Sequence, residues 1–356
     1  MNGPVKQENN REENFIKWYE VPSKEQAIAI SGRLRLARNL RGFPFENRMS
    51  NDQKLALSAK IAETMKSEEF EALGLKNMGF EKMEAYSRGA LVEQHLVSPE
   101  FAQNGRYSAL FSTADNSLSV MANEEDHIRI QALLPGIELE KGLEAVNAAD
   151  NIFDAKLAYA FDEKLGFLTE CPTNLGTGLR ASVMLHLPML ESSGVLPRIS
   201  GNISKLGLTI RGTYGEGTKA KGSFYQISNQ VTLGISEENA VKNLKAMVSQ
   251  IIFQERALRD GIKGRSLEDK ICRAYGILTN ARLLSGDELM ETLSLIRLGL
   301  DCRYISDISY VTLNRLAFTM GGANISAVAG RELSGDERDF MRAKAVRETL
   351  LNAGGN

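Results

Sequence analysis

The segment Ser31-Gly32-Arg33-Leu34-Arg35-Leu36-Ala37-Arg38 alternates charge with apolar bulk. Period-two alternation is a strand signature, because successive side chains leave opposite faces of the backbone. Extended, this segment sets Arg33 and Arg35 on one face and Leu34 and Leu36 on the other. Two readings fit it. One is an amphipathic edge strand with a solvated face. The other is a pair of guanidinium groups aimed at phosphate, which the planar arginine fork grips on two oxygens at once.

Outward from this segment, Leu118–Ala122, Ile128–Leu134, Leu206–Arg211 and Phe224–Leu233 also have strand character. Helical spacing of apolar residues runs over Gln53–Lys66 and Gly142–Glu163. Strands interleaved with helices and joined by glycine turns predict an α+β domain, a largely antiparallel sheet flanked by helices. The texture changes near Ser236, where a helical period opens and runs to Arg259 before Gly261 and Gly264. Beyond it every apolar pattern is helical: Leu267–Leu278, Gly286–Leu298, Tyr310–Met320 and a last helix from Gly335. Ser334 with Glu337 three residues on forms a capping box for that last helix. The expected organisation is a polar leader over 1–24, a catalytic domain over 25–258 and an all-helical C-terminal domain over 259–356.

Composition narrows the function classes. Lys+Arg total 43 against Asp+Glu 45, a net charge of −2, which disfavours a nucleic-acid-coating protein. Cys171, Cys272 and Cys302 have neither CxxC nor Cys/His spacing, which argues against a disulfide framework and a zinc site. No apolar run approaches the roughly 20 residues of a membrane span, and the start lacks the apolar core of a signal peptide. A cytoplasmic protein without membrane contact is the expectation.

Four further segments carry arginine in small or apolar settings. Asn123-Glu124-Glu125-Asp126-His127-Ile128-Arg129 sits between two strand-like runs. It reads either as a solvated acidic turn or as a carboxylate pair that orients a cation beside a phosphate. The stretch from Cys171 to Met184 contains Gly176-Thr177-Gly178, permissive backbone that a ligand can approach closely but no Walker loop. Arg211-Gly212-Thr213-Tyr214-Gly215-Glu216-Gly217-Thr218 reads as a hairpin tip or as a lid bearing one acid. In the tail, Arg338 and Arg342 of Arg338-Asp339-Phe340-Met341-Arg342-Ala343 fall one helical turn apart. His95 lies in an apolar run, the usual setting of a core histidine.

In this order, SGRLRLAR, NEEDHIR, CPTNLGTGLRASV and RGTYGEG resemble the motifs of the guanidino (phosphagen) kinases, over about 28–258. The chain is most similar to the bacterial protein-arginine kinase branch of that family. The first motif begins at residue 31, without the helical domain that precedes it in the small-molecule kinases, and the helical tail carries RDFMRA. The resemblance implies a Mg²⁺- and ATP-dependent transfer to the guanidinium of protein arginine. It implies that Arg33, Arg35, Arg129, Arg180 and Arg211 cradle the ATP phosphates. Ser31, Gly32, Arg33, Leu34 and Arg35 would line the nucleotide, as would Arg180, Ala181, Ser182, Val183 and Met184. So would Arg211, Gly212, Thr213, Tyr214, Gly215 and Glu216, with His95 against the adenine. Glu124, Glu125 and Glu216 would hold the acceptor, with Cys171 beside it. Arg338, Asp339, Phe340, Met341, Arg342 and Ala343 would form an allosteric phosphoarginine site.

No protein-held metal is implied, since ATP carries the Mg²⁺. Gly32 stands where the family commonly has Ser, and Met184 where many members have His. Implied partners are a zinc-binding activator protein, a stress-gene repressor and a Clp ATPase/protease that receives marked proteins, with dimerisation through the C-terminal domain. The residues alone also admit a small-molecule arginine-type kinase and an inactive phosphoarginine-binding adaptor, though the retained acids speak against the latter.

Overall fold

The computed structural model describes residues 15–103, 105, 107–212, 220–262 and 264–353. Residues 31–38 lie within strand β1 (Ala29–Arg38), in the interior of an eight-stranded antiparallel sheet rather than at its edge. The other strands are β2 (Lys76–Asn77), β3 (Ala109–Ser112), β4 (Leu118–Ala122) and β5 (Ile128–Pro135). A separate hairpin, β6 (Phe161–Asp162) and β7 (Gly166–Phe167), precedes β8 (Leu179–His186), β9 (Leu208–Gly212) and β10 (Phe224–Asn229). The sheet order is β2-β3-β4-β5-β1-β8-β10-β9.

Helices α1 (Asn51–Thr64), α2 (Glu68–Ala72), α3 (Ala85–Glu93), α4 (Pro99–Gln103) and α5 (Leu139–Lys156) fall among the first strands. α6 (Pro188–Ser192), α7 (Leu196–Ser204) and α8 (Glu237–Asp260) follow. The tail forms α9 (Arg265–Asn280), α10 (Gly286–Asp301), α11 (Tyr310–Thr319), α12 (Gly322–Ala329) and α13 (Gly335–Ala353). The capping box at Ser334 forms as the sequence predicts: Glu337 N donates to Ser334 Oγ at 3.3 Å, and Ser334 N to Glu337 Oε2 at 2.9 Å.

Alternation decides the two sheet faces. Leu34, Leu36, Ile128, Ile130, Leu179, Ala181 and Val183 point to one side and join Val146, Phe153, Leu244 and Val248 of α5 and α8 in one core. Burying that face fixes the register, since a one-residue slip would turn Arg33, Arg35, Arg129 and Arg180 inward. The other face carries Arg33, Arg35, Arg129, Gln131, Arg180 and Ser182. Arg35 is directly opposite both Gln131 and Arg180.

A second core joins the tail to the rest of the chain. Leu289, Leu293, Ile296, Leu313, Phe318 and Val346 pack with Trp18, Tyr19, Leu96, Leu133, Met184 and Phe224. Of the expected leader over 1–24, residues 15–24 are described, and there Trp18 and Tyr19 join this core. Trp18 is 2 % exposed, and its ring meets Phe318 edge-on at 4.9 Å between centroids. One large indole outweighs the polar neighbours that make this stretch look frayed.

Two predicted elements come out shorter. The helix predicted to run to Glu163 ends at Lys156, because Leu157 turns extended and the chain bridges back at Tyr159 to Leu40. The strand predicted to reach Leu233 ends at Asn229. There the Asn229 side chain accepts from Ala181 N at 2.7 Å and donates to Leu179 O at 3.0 Å.

Candidate active site

The arginine face of the sheet opens into a cavity of about 1050 Å³. Arg33, Arg35, Arg129, Glu124, Glu125 and His95 line it from the sheet side. Asp287, Met290, Met320, Gly321 and Gly322 line it from the C-terminal helices, so this wall is built by the tail. A smaller cavity behind it is lined by Ser31, Arg33, His95, Ser182, Met184 and Gln226. Arg180 and Arg211 meet in a third, with Thr173 and Asn174 of the loop that follows Cys171.

Three of these arginines are incompletely satisfied. The Nε atoms of Arg35, Arg129 and Arg180 are buried without a hydrogen-bond partner among the described residues. Burial and neighbouring guanidinium groups push the Arg33 pKa down to about 10 and that of Arg35 well below its ordinary value. Burial and then Arg211 and Arg129 depress Arg180 likewise. Crowded like charges with unused donors are unfavourable in isolation, and a polyanion relieves both defects. The donor set therefore fits a triphosphate.

The acids sit at the rim of this cluster, on the turn between β4 and β5. Asn123 adopts a left-handed conformation (φ 57°). Its Nδ2 donates to Lys54 O, Ser58 Oγ and Tyr107 O at 2.7–2.9 Å, which pins the turn. Glu124 Oε2 pairs with Arg129 Nη1 at 2.7 Å, and Glu125 Oε2 with Arg129 Nη2 at 3.1 Å. Ser98 Oγ also donates to Glu124 Oε1 at 2.7 Å. The Glu124 side chain is 5 % exposed and that of Glu125 39 %, so Glu125 is the carboxylate presented to solvent.

The neighbouring motif residues are structural. His127 Nδ1 accepts from Leu40 N at 2.9 Å and its Nε2 lies 2.7 Å from Pro44 O, which makes it a neutral Nε2–H tautomer. Asp126, whose carboxyl burial pushes up, accepts from Asn39 Nδ2 at 2.6 Å and Glu170 N at 2.8 Å. It ties the acidic turn to the approach to Cys171.

His95 is half-buried in a left-handed conformation (φ 62°), and burial beside Arg33 and Arg35 pushes its pKa down to about 3. It is neutral at pH 7. Cys171 Sγ lies 3.1 Å from Thr173 Oγ1. Gly32, Leu34, Ala181 and Val183 belong to the helix-covered face, so they reach a ligand on the arginine face only through the backbone. Arg211 and Gly212 end β9, while Thr213, Tyr214, Gly215 and Glu216 lie outside the described residues.

Arg338 and Arg342 lie one turn apart on α13, as expected, but in different surroundings. Arg342 is 4 % exposed and donates to Leu284 O, Asp339 Oδ1 and Met320 O at 2.6–2.8 Å. It is thereby engaged within the C-terminal helices, and Asp339 takes Arg342 as its partner. Ala343 is buried, Phe340 is 53 % exposed, and Met341 is intermediate. Among the described residues, Arg338 has no ion pair or side-chain hydrogen bond.

Residues 56–258 match the family model for the ATP:guanido phosphotransferase C-terminal catalytic domain. Residues 264–356 match that for the protein-arginine kinase McsB C-terminal domain. The chain is 42% identical over 343 residues to the protein-arginine kinase of Moorella thermoacetica, covering 95% of this chain and 98% of that protein. It is 44% identical over 344 residues to that of Syntrophomonas wolfei, covering 95% and 96%. The chain belongs to the protein-arginine kinases of the ATP:guanido phosphotransferase family.

Among solved structures, the duplicated taurocyamine kinase of Schistosoma mansoni with bound transition-state-analogue components is 27% identical. Its TM-score is 0.59, over 74% of this chain and 38% of that one. Lombricine kinase is 25% identical, with a TM-score of 0.55 over 70% and 71%. Membership makes the chain a guanidino phosphotransferase and implies use of ATP. The family match begins after Ser31–Arg38, yet β1 is sewn into the matched region by β5 and β8 on its two sides. No helix among the described residues is long and apolar enough to cross a membrane.

Several site residues carry no motif. Gln131 holds Arg33, accepting from its Nε at 2.7 Å, and strand alternation from Arg129 does point to it. Ser98, Glu93 and the tail residues of the cavity wall join the site only through tertiary packing, which local pattern does not encode.

Proposed function

We propose that this kinase moves the γ-phosphoryl group of Mg·ATP onto the guanidinium of arginine side chains in proteins. The observation that carries the reading is the juxtaposition of buried, unpartnered arginine Nε atoms with the Glu124–Glu125 carboxylates. One half suits a polyanion and the other a cation. Arg33, Arg35, Arg129, Arg180 and Arg211 would hold the phosphates, with Ser31, Ser182, Met184 and His95 around the nucleoside. Mg²⁺, held by the phosphates, supplies further charge neutralisation.

Phosphoryl transfer passes through a loose, charge-spread transition state, so positioning and electrostatics do most of the catalysis. The acceptor is the harder problem. A guanidinium has a pKa above ~12 and is a poor nucleophile at pH 7. Carboxylates that fix its fork and accept a proton as the N–P bond forms, while the β–γ bridging P–O bond breaks, remove that obstacle. Such general-base help is worth roughly 10²–10⁴ in rate. Glu124 already accepts from Arg129, Ser98 and the Glu125 N–H, whereas among the described residues Glu125 accepts from Arg129 alone, so Glu125 is the principal base. Cys171 would tune charge near the acceptor, and Glu216 would complete the acid set.

The acceptor carboxylates open onto a wide cavity, which favours an arginine presented on a polypeptide over a free amino acid. A cytoplasmic homodimer joined through the tail is part of the reading; Leu283, Val328 and Phe340 are exposed apolar side chains there. A zinc-binding activator, a stress-gene repressor and a Clp protease remain the partners of choice by family resemblance, and RDFMRA the sensor of phosphoarginine. Incubating the protein with labelled ATP and either a denatured protein or free arginine tests the acceptor class. Label on the protein is expected; label on free arginine alone would favour the small-molecule reading.

A further inference from the structure

The C-terminal helices reach the arginine cluster through one carboxylate. Glu93, the last residue of α3, accepts from Ala323 N at 2.9 Å and Asn324 N at 2.8 Å, the first-turn donors of α12. Asn324 Nδ2 adds a third bond at 2.8 Å, and Asn324 Oδ1 accepts from Gln94 Nε2 at 2.6 Å. Free N–H groups at a helix start are natural acceptor-seekers, and an anion there also meets the favourable end of the helix dipole. The two helices are closely packed at this point: a methyl on Gly89 of α3 would fall 2.9 Å from the Ala323 Cβ.

On the sheet side the same turn continues to the phosphate cluster. Two residues after Glu93, His95 holds a left-handed backbone that a side chain other than glycine adopts only when its surroundings enforce it. The carbonyls of His95 and Leu96 accept from Gln131 Nε2 at 3.1 and 3.0 Å. Gln131 Oε1 in turn accepts from Arg33 Nε at 2.7 Å. On the tail side, the approach to α12 is held by the RDFMRA helix. Arg342 Nε donates to Met320 O at 2.8 Å, and Arg338 lies over Gly322, where a methyl would fall 3.2 Å from its Cδ.

We propose that Glu93 is a positioning residue for the nucleotide site, through which the C-terminal helices set the placement of His95, Gln131 and Arg33. Glu93 touches no reacting atom in this account. It fixes the turn whose carbonyls orient the Gln131 amide, and that amide aims the Arg33 guanidinium. Gly321 is required for the clamp, since a methyl there would overlap the Glu93 carboxylate while its backbone (φ −64°, ψ 160°) suits any residue. The inference rests on the nucleotide half of the reading above and is indifferent to the acceptor.

The test is ATP binding by calorimetry on the full chain, with steady-state KM and kcat alongside. Glu93→Gln removes the charge, Gly321→Ala displaces the carboxylate from the tail side, and Gln131→Met cuts the connection to Arg33. Each should weaken ATP binding about five-fold, the loss expected from one hydrogen bond, and raise KM for ATP more than it lowers kcat. Glu93→Gln combined with Gln131→Met should be no worse than the weaker single variant, because both cut one line. Wild-type affinity in folded Glu93→Gln and Gly321→Ala, or an additive double variant, overturns the inference alone. A wild-type protein that binds no ATP overturns the nucleotide reading and this inference with it.

Discussion

Arg129 Nη1 lies 2.7 Å from Glu124 Oε2, and its other terminal nitrogen reaches Glu125 Oε2. A guanidinium thus already occupies the carboxylates proposed to hold the acceptor guanidinium. Phosphate that draws Arg129 toward the cluster would release them. Acceptor binding is therefore expected to tighten several-fold when a non-hydrolysable ATP analogue is present. Calorimetric titration of an arginine-rich denatured protein, with and without the analogue, checks this. Equal affinity would show that Arg129 does not compete.

Glu125→Gln keeps the shape of the side chain and removes the base. Transfer is expected to fall by about 10²-fold or more, while ATP binding stays within a few-fold of wild type. Glu124→Gln is expected to act similarly and also to free Arg129 for the phosphates, which lowers KM for ATP. Parallel kinetics and calorimetry separate the two.

The crowded arginines predict a trade between stability and binding. Arg35 is depressed by burial and by Arg33, Arg129 and Arg180, with one Nε unpartnered. Arg35→Met removes a buried like charge and is expected to raise the melting temperature of the nucleotide-free protein by a few degrees, about 1 kcal/mol. ATP should then no longer raise it further. Differential scanning calorimetry with and without nucleotide measures both.

Acid should loosen the junction between β8 and the tail. His186 is fully buried, its Nε2 2.8 Å from Ser294 Oγ of α10 and its Nδ1 3.1 Å from Arg259 Nη2. Burial, then Arg259 and Arg297, push its pKa well below the ordinary value. It is neutral when folded, whereas the unfolded chain takes up a proton below about pH 6.5. Its contribution is present above that pH and lost as pH falls. Urea midpoints at pH 7.5 and 5.5 should drop on acidification, and drop less in His186→Gln.

Much of this architecture was legible in sequence, and the exceptions share a cause. Arg33 and Arg35 alternate with Leu34 and Leu36, so the face they share followed from strand geometry alone. Ser334 and Glu337 marked a helix start through purely local hydrogen bonds. Leu179–His186 alternates as well, with Leu179, Ala181, Val183 and Leu185 against Arg180, Ser182 and His186, and Met184 is the one break in the pattern. Trp18, the chain's single tryptophan, is fixed by Phe318, three hundred residues away. Glu93 on α12 and Arg342 on Leu284 and Met320 arise from docking between distant elements, which no window of sequence contains.

The central claim is that phosphate arrives on arginine nitrogen under the control of Glu125. The most direct measurement is the stability of the phosphorylated protein product toward acid and toward base. The account predicts an acid-labile, base-stable phosphoramidate that maps to arginine and is absent with Glu125→Gln. An acid-stable phosphate mapping to serine or threonine, or unchanged transfer by Glu125→Gln, would contradict it.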